Sequence, residues 1–182
     1  MPVLHSSIVA CSHGTTDRTG LVTTRPIRKG VLVWTLDEPT FSWKQIEMWP
    51  EERRRAFARY GFQCGVERYS FPEGLSREMN HSCDPNPWWA DSDSIVARRD
   101  IRAGDEVTYD YSTCDIDLAF TMACRCGTPR CRKKISNRDY LDPRWQEQYG
   151  SNLPPHVLAA IEVARQHGEP GTDRCPVLTC PS

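Results

Sequence analysis

The motif NHSCDP, residues 80–85, places an asparagine, a histidine and a cysteine close together in the chain. The neighbouring cysteines, Cys64 and Cys114, are distant in sequence. Cys83 is therefore either an inert packed thiol or a ligand whose partners come from elsewhere in the chain. The positions of the remaining cysteines bear directly on this choice.

Cys124, Cys126 and Cys131 form a cluster with the spacing Cys-x-Cys-x4-Cys, and a glycine and a proline between them suit a tight turn. A structural zinc ion takes four ligands, usually cysteine or histidine, and this cluster supplies three. Cys83 is the candidate for a distant fourth ligand; the alternative is three free thiols in a surface loop. The other cysteines are interpreted as packed or incidental thiols: Cys11, Cys64, Cys114, Cys175 and Cys180.

The composition limits the function classes. The chain has 182 residues, nine cysteines and a net charge of −1 from 23 basic and 24 acidic residues. An odd cysteine count without a visible secretory signal favours metal ligands or catalytic groups in a reducing compartment. The balanced charge argues against direct nucleic-acid binding, and no apolar run approaches the ~18 residues of a membrane span. We therefore expect an intracellular protein, in the nucleus or cytoplasm, with no membrane partner.

Hydrophobic alternation and turn residues predict short strands and a few helices. The predicted strands lie near residues 21–22, 31–34, 95–97 and 107–109. Helices are predicted to begin near residues 50, 143 and 155, with a short helix before the first and glycines ending the last two. The pattern Arg-x-Ile-x-x-Gly occurs at residues 25–30 and again at 99–104, and two similar hairpin turns are its simplest interpretation.

Several motifs together resemble one family. NHSCDPN (80–86) resembles the NHSCxPN motif of SET-domain protein lysine methyltransferases, and GDEVTYDY (104–111) resembles their GEELTYDY signature. The cysteine cluster is similar to the post-SET zinc motif, and residues 18–30 resemble the opening strands of the domain. The resemblance implies a β-rich α+β SET fold with short twisted sheets and a knot-like threading of the two signatures. It also implies a zinc-bound post-SET loop, followed by a helical C-terminal extension.

The predicted domain organisation follows from these motifs. It comprises an N-terminal segment (1–16), the SET domain (17–115) with an inserted helical region at about 38–75, the post-SET zinc loop (120–136), a helical C-terminal extension (137–168) and a flexible tail (169–182).

The resemblance also implies an activity, which is methyl transfer from S-adenosylmethionine to the ε-amine of a protein lysine. Tyr111 matches the family's catalytic tyrosine. Tyr109 stands where the family places Phe or Tyr, and its hydroxyl favours mono- or dimethylation. The residues that match cofactor-binding positions are Asp17, Arg18, Thr19, Asn80, His81 and Arg125, with Arg18 replacing a glycine of the family pattern. The implied zinc ligands are Cys83, Cys124, Cys126 and Cys131.

Simpler interpretations remain at this stage. The tyrosines could pack in a sheet, and the basic run of residues 130–134 is typical of a solvated face. Four acids flank the two signatures and could attract a basic peptide, although loop acids usually have no such specific role: Asp91, Asp93, Asp115 and Asp117. The alternative function is a catalytically silent SET-type zinc module that binds a protein partner; a DNA-binding zinc protein conflicts with the charge. The expected partner is a lysine-containing protein or peptide, histones included.

Overall fold

The computed structural model describes residues 3–12 and 19–167. The chain divides into two compact units. The first comprises Met1–Asp37, Glu73–Tyr111 and Cys124–Lys133, and the second comprises Glu38–Pro72, Ser112–Ala123 and Lys134–Ser182. Each unit is therefore assembled from segments that are separated in sequence.

The strands and helices are short. In chain order, the strands of the described residues are β1 (Val3–Leu4), β2 (Ile8–Ser12), β3 (Thr19–Thr23), β4 (Leu32–Thr35), β5 (Thr40–Phe41), β6 (Phe62–Gly65), β7 (Arg68–Ser70), β8 (Asn80–His81), β9 (Pro87–Trp89), β10 (Ser94–Ala97), β11 (Glu106–Tyr109), β12 (Thr121–Ala123) and β13 (Lys134–Ser136). The α-helices are α1 (Trp43–Glu47), α2 (Glu51–Tyr60), α3 (Pro143–Tyr149) and α4 (Pro155–His167), and 3-10 helices span Gly74–Glu78, Tyr111–Thr113 and Asp139–Leu141. These elements confirm the predicted fold class.

Two four-stranded sheets form the first unit. One has the order β1-β4-β10-β9 and is antiparallel throughout. The other has the order β2-β3-β11-β8, and its last pair is parallel, with Thr108 opposite Asn80 and Tyr109 opposite His81. This parallel pair brings the NHSC and TYDY motifs together. Apolar side chains from both sheets are buried, among them Leu21, Val33, Ile95 and Val107.

The two Arg-x-Ile-x-x-Gly segments are not hairpins, because β3 and β4 belong to different sheets, as do β10 and β11. The segments instead pair with each other through Ile27 and Ile101, whose main chains exchange hydrogen bonds of 2.9 and 2.8 Å. Gly30 and Gly104 have φ angles of 84° and 85°, a left-handed conformation that glycine adopts readily. The repeated pattern therefore encodes two corner turns that link the sheets, rather than two hairpins.

The second unit contains the antiparallel sheet β5-β7-β6, the pair β12-β13 and the α-helices. Glu51 and Glu52 lie in the first turn of α2, where acidic side chains favour the positive end of the helix dipole. An aromatic cluster packs against this helix: it buries Ile46, Phe57, Tyr69 and Leu118, with Phe41, Trp43, Trp49 and Phe71 partly buried around them. The guanidinium of Arg53 lies 3.9 Å from the Trp49 ring centroid.

Helices α3 and α4 form as the sequence predicts. Asp142 caps α3 by accepting the main-chain N–H of Arg144 at 2.9 Å, and Gly150 ends the helix with a φ angle of 56°. A second core joins these helices, burying Tyr140, Trp145, Tyr149, Leu153, Val157, Ala160 and Ile161. Gly168 and the tail of residues 169–182, including Cys175 and Cys180, lie outside the described residues.

The carboxyl groups of Asp115 and Asp117 both accept hydrogen bonds within the second unit. Asp115 is buried and accepts the main-chain N–H of Gln63 at 2.6 Å. The Tyr69 hydroxyl donates to Asp117 at 2.7 Å. Neither is therefore a ready contact for a basic peptide.

Across the described residues, every helix is too short or too polar to cross a bilayer.

Candidate functional site

Four sulfur atoms converge in the first unit. The Sγ atoms of Cys83, Cys124, Cys126 and Cys131 all lie within 4.8 Å of one another. The sulfurs of Cys83 and Cys124 are 3.6 Å apart, and those of Cys124 and Cys131 are 3.8 Å apart. Sulfurs at the corners of a tetrahedron with Zn–S bonds of ~2.3 Å are separated by about 3.8 Å. The four sulfurs therefore fit one tetrahedral zinc ion. Cys83 supplies the fourth sulfur, which the Cys-x-Cys-x4-Cys motif lacks.

The loop with three of these cysteines folds back on itself. The N–H of Cys124 donates to the carbonyl of Lys133 at 2.7 Å, and the N–H of Cys131 donates to that of Thr128 at 3.0 Å. Gly127 has a φ angle of 72°, which glycine tolerates without steric cost. These turns direct the sulfurs of a ten-residue segment, 124–133, towards one point.

The thiols differ in acidity. Burial raises the pKa of Cys83 well above its usual range and raises the pKa of Cys124 to about 11. Burial also acts to raise the pKa of Cys126, but hydrogen bonds to its sulfur from Thr128 and from main-chain groups lower that pKa to about 6. Zinc binds thiolates, so metal binding at a cluster that contains protonated thiols such as Cys83 and Cys124 must release protons.

Tyr109 and Tyr111 lie beside the NHSC motif. Tyr109 ends β11, and Tyr111 begins the 3-10 helix that follows. Their ring centroids are 4.8 Å apart, and the Tyr111 ring is 5.2 Å from that of His81. The Tyr111 hydroxyl donates to the carbonyl of Met79 at 3.0 Å. The predicted catalytic hydroxyl is thus held in a defined orientation by ring packing and a main-chain acceptor.

The Asn80 amide is held by two acceptors. Its Nδ2 donates to the main-chain carbonyl of Thr19 at 3.3 Å and to Oε1 of Glu106 at 2.9 Å. The structure therefore brings two predicted cofactor residues, Asn80 and Thr19, together. Sequence reasoning missed Glu106, although it lies inside the second signature and directly precedes the buried Val107.

The His81 ring points into the protein. Its Nδ1 accepts the main-chain N–H of Tyr111 at 3.3 Å, so Nε2 carries the proton and donates to the Cys83 sulfur, also at 3.3 Å. Burial lowers the pKa of His81 to about 4; nearby Asp110 opposes that shift and Arg132 adds to it. The ring is neutral at pH 7 and occupied by these bonds, so any ligand contact of His81 would use its main chain, as the resemblance implies.

Asp110 and Arg132 form a pair that sequence reasoning missed. The Asp110 carboxylate is completely buried and accepts two parallel hydrogen bonds from the Arg132 guanidinium, of 2.7 and 2.8 Å. Arg132 was predicted to lie on a solvated basic face, but only 17% of its side chain is exposed. The available signal was position: Asp110 lies within TYDY, and Arg132 directly follows Cys131 of the cysteine cluster.

The remaining predicted cofactor residues are less constrained. Arg125 is exposed, and Thr19 is the exposed first residue of β3. Asp17 and Arg18 lie outside the described residues. The structure thus places Asn80 and His81 on one strand and Thr19 in contact with Asn80, whereas Arg125 lies at the surface.

A polar cavity of about 390 Å³ adjoins this region. Its lining includes His81, Glu106, Thr108 and Cys126, with charged residues of both signs around it: Asp84, Arg99, Asp100, Arg102 and Asp105. Its volume falls within the range of small-molecule sites, roughly 300–1,000 Å³. The sulfur cluster and the strand pair therefore border a space that a small ligand could enter.

Comparison with known proteins agrees with these features. Residues 18–112, just over half of the chain, match the family description "SET domain". The histone-lysine N-methyltransferase ASHH3 of Arabidopsis thaliana is 34% identical over 101 residues, covering 51% of this chain and 27% of its own length. The H3 lysine-36 specific histone-lysine N-methyltransferase of Schizosaccharomyces pombe is 30% identical over 149 residues, covering 70% of this chain and 18% of its own.

A third relative, the histone-lysine N-methyltransferase met-2 of Caenorhabditis elegans, is 31% identical over 116 residues, which cover 54% of this chain and 8% of that protein. The chain therefore spans about a quarter or less of the length of these curated relatives.

Proposed function

Since the chain belongs to the SET-domain family, we propose that it transfers a methyl group from S-adenosylmethionine to the ε-amine of a protein lysine. The observation that carries this proposal is the packing of Tyr111 against Tyr109 and His81, beside the four-sulfur cluster. Histones are the proposed substrate class, because the relatives are named histone-lysine methyltransferases. This substrate class also favours the nucleus as the compartment.

The chemistry requires a neutral amine. A free lysine has a pKa near 10.4 and is mostly protonated at pH 7, so the site must favour loss of that proton to water. S-adenosylmethionine, when bound, supplies an electrophilic methyl group on a positively charged sulfur. The amine's electron pair forms the new C–N bond while the C–S electron pair stays on sulfur. The protein's main contribution is alignment of the amine with the methyl group.

Tyr111 is proposed to supply that alignment. Its ring is fixed by His81 and Tyr109, and its hydroxyl is fixed by the carbonyl of Met79. Because this hydroxyl already donates its proton to the carbonyl of Met79, an orienting role suits it better than proton abstraction. The amide of Asn80, the main chain of His81 and residues 17–19 are proposed to hold the cofactor, with Arg125 at its edge.

Zinc is proposed to bind Cys83, Cys124, Cys126 and Cys131. It would join the segment 124–133 to the NHSC motif, so that metal binding contributes to the folding of this loop. The sulfur separations, which match the edge of a zinc tetrahedron, support this assignment.

Tyr109 is proposed to limit the number of methyl groups that are added. Its ring lies against that of Tyr111, and its hydroxyl would reduce the space around the amine. We expect Tyr109→Phe to shift the product towards higher methylation, measured by mass spectrometry of the modified peptide. A product distribution identical to that of wild type would contradict this role.

The test of the function is a radiolabelled methyl-transfer assay over histones and cell extract. We expect Tyr111→Phe to lower the rate by about 100-fold, the effect of losing alignment at the reacting atoms. Tyr149→Phe, which removes a hydroxyl within the second unit, is the matched control and should retain activity. Equal labelling by Tyr111→Phe and wild type would remove Tyr111 from its role.

Calorimetry separates the enzyme from a silent zinc module. An enzyme should bind S-adenosylmethionine saturably, with one site per chain. Absence of saturable binding in zinc-loaded protein, together with absence of labelling, would favour the silent module.

A further inference from the structure

Arg132 contacts both the four-sulfur cluster and Asp110, which lies between the two tyrosines in sequence. Its main-chain N–H lies 3.4 Å from the Cys83 sulfur, to which it donates. Its guanidinium donates to both carboxylate oxygens of Asp110, at 2.7 and 2.8 Å. One residue therefore connects a sulfur of the metal cluster to the strand segment that contains the tyrosines.

The geometry at Asp110 is restrictive. Asp110 lies between Tyr109 and Tyr111 in sequence, and its carboxylate has no solvent exposure. Two parallel hydrogen bonds fix a guanidinium in both position and angle. Any movement of the loop at Arg132 must therefore move the Asp110 carboxylate or break a buried ion pair, which is strongly unfavourable.

His81 provides a second connection between the same groups. Its Nε2 lies 3.3 Å from the Cys83 sulfur, and its Nδ1 accepts the N–H of Tyr111 at 3.3 Å. Nδ1 also lies 3.5 Å from Asp110 Oδ1. The sulfur of Cys83 and the backbone of Tyr111 are thus joined by two short chains of contacts, one through Arg132 and Asp110 and one through the His81 ring.

We propose that Arg132 is a positioning residue, which couples the geometry of the four-sulfur site to the placement of Tyr111 through Asp110. The activity part of this inference rests on the proposed function. Coupling of this kind is reciprocal, so weakening the Arg132–Asp110 pair loosens the metal site and misaligns Tyr111 together. Substitution of a residue that hydrogen-bonds to a metal ligand typically lowers metal affinity or activity by about 10–100-fold.

The experiment compares Arg132→Met, Arg132→Lys, Arg130→Met, Asp110→Asn and the double variant of Asp110→Asn with Arg132→Met, all in the zinc-loaded full chain. Arg130 is exposed in the same loop, so its variant removes the same charge two residues away. Two quantities are measured: the rate of zinc release to a chromophoric chelator, and kcat per cofactor-binding site counted by calorimetry. Counting sites removes any contribution from unfolded protein, so a general loss of folded molecules does not change this kcat.

For Arg132→Met we expect zinc release to accelerate and kcat to fall, each by about 10–100-fold, with the KM for the lysine peptide within twofold of wild type. Arg132→Lys keeps the charge but not the paired hydrogen bonds, so it should recover part of both losses. Arg130→Met should match wild type. The double variant Asp110→Asn with Arg132→Met should be no worse than Arg132→Met alone, because the two residues act as one unit.

Arg132→Met values within twofold of wild type for both quantities would overturn the proposal, as would losses in the double variant that multiply those of the single variants. If Arg132→Met does not fold, Arg132→Lys becomes the test of the proposal. A zinc-release rate and a kcat equal to those of wild type in Arg132→Lys would then overturn the coupling. If the wild-type chain transfers no methyl group, the proposed function fails, while the zinc-release rates still test the connection between Arg132 and the sulfur site.

Discussion

Two buried carboxyl groups, five positions apart in sequence, are accommodated in opposite ways. Asp110 of the first unit is completely buried with its charge matched by the Arg132 guanidinium. Asp115 of the second unit is buried beside a group of its own sign, Asp117, and its main hydrogen-bond donor is the N–H of Gln63. Burial raises the pKa of Asp115 well above its usual range, and Asp117 raises it further. The first unit therefore buries a paired carboxylate, whereas the surroundings of Asp115 in the second unit favour the protonated acid.

The cysteines follow the same division. In the first unit, Cys83 is one of four thiols whose sulfurs converge. In the second, Cys64 and Cys114 are completely buried, and neither belongs to the metal-compatible group found among residues 3–12 and 19–167. The Cys64 thiol lies against the carbonyl of Arg68 at 3.4 Å. Similarly buried thiols thus belong to a metal-compatible cluster in one unit and to the packed interior in the other.

The largest expected effect is on metal content. Cys83→Ala removes one of four ligands and the connection to the loop of residues 124–133, so we expect bound zinc to be lost on dialysis against a chelator. Cys114→Ala, a change of the same size at an equally buried thiol, should retain one zinc per chain. Elemental analysis of the purified proteins measures both. Equal metal content in the two variants would contradict the different roles assigned to Cys83 and Cys114. Wild-type protein that is purified without metal would contradict them as well.

A large effect on stability is expected from the paired charge. Asp110→Asn leaves the Arg132 guanidinium without its countercharge, and removing one partner of a buried ion pair costs about 3–5 kcal/mol. Asp84→Asn is the control, because Asp84 pairs with Arg98 at a site where 27% of the Asp84 side chain is exposed. Because the Asp84 carboxylate keeps some contact with solvent, we expect a smaller loss of stability for Asp84→Asn than for Asp110→Asn.

Chemical denaturation in zinc-saturated buffer measures the loss of stability in both variants. A loss for Asp110→Asn no greater than that for Asp84→Asn would show that the buried pair is not a stabilising feature of the first unit.

The sequence was sufficient for the parts of the site that have motifs. NHSC, TYDY and the cysteine spacing predicted the residues that the fold brings together, and Cys83 was correctly linked to the distant trio. The motifs could be recognised because signature residues and clustered cysteines have characteristic types and spacings. The short helices were also predictable, since prolines and acids mark their first turns.

The remainder depends on partners that spacing does not reveal. Arg132 looks like part of a basic surface run until Asp110, distant in sequence, is placed against it. The Arg-x-Ile-x-x-Gly turns were interpreted as hairpins because a local pattern identifies a turn but not the sheet that the next strand joins. The burial of Asp115 was missed for the same reason, because an acid in a polar stretch looks solvated unless its neighbours in space are known.

The smallest expected effect, and one of opposite sign, belongs to Asp115. In the protonated acid and in asparagine alike, one oxygen can accept the N–H of Gln63 while the other group is a neutral donor. Asp115→Asn therefore preserves the folded-state contacts of a neutral acid. We expect its stability to lie within about 0.5 kcal/mol of wild type at pH 4, as for a substitution that disturbs no packing.

The difference between the two proteins should then depend on pH. Because the pKa of Asp115 is raised in the folded state, the unfolded chain loses this proton first as the pH rises above the usual value of 3.8. The folded state binds more protons over that interval, so this residue lowers stability with rising pH, and the asparagine variant is free of the effect. The variant should consequently gain on wild type between pH 4 and pH 8 in thermal denaturation, whereas Asp142→Asn, at an exposed helix cap that asparagine fills equally well, should show no such gain. A constant difference across this range, or a variant that becomes relatively weaker as the pH rises, would mean that Asp115 is buried as a charge after all, and the contrast with Asp110 would then lie only in the identity of the partner.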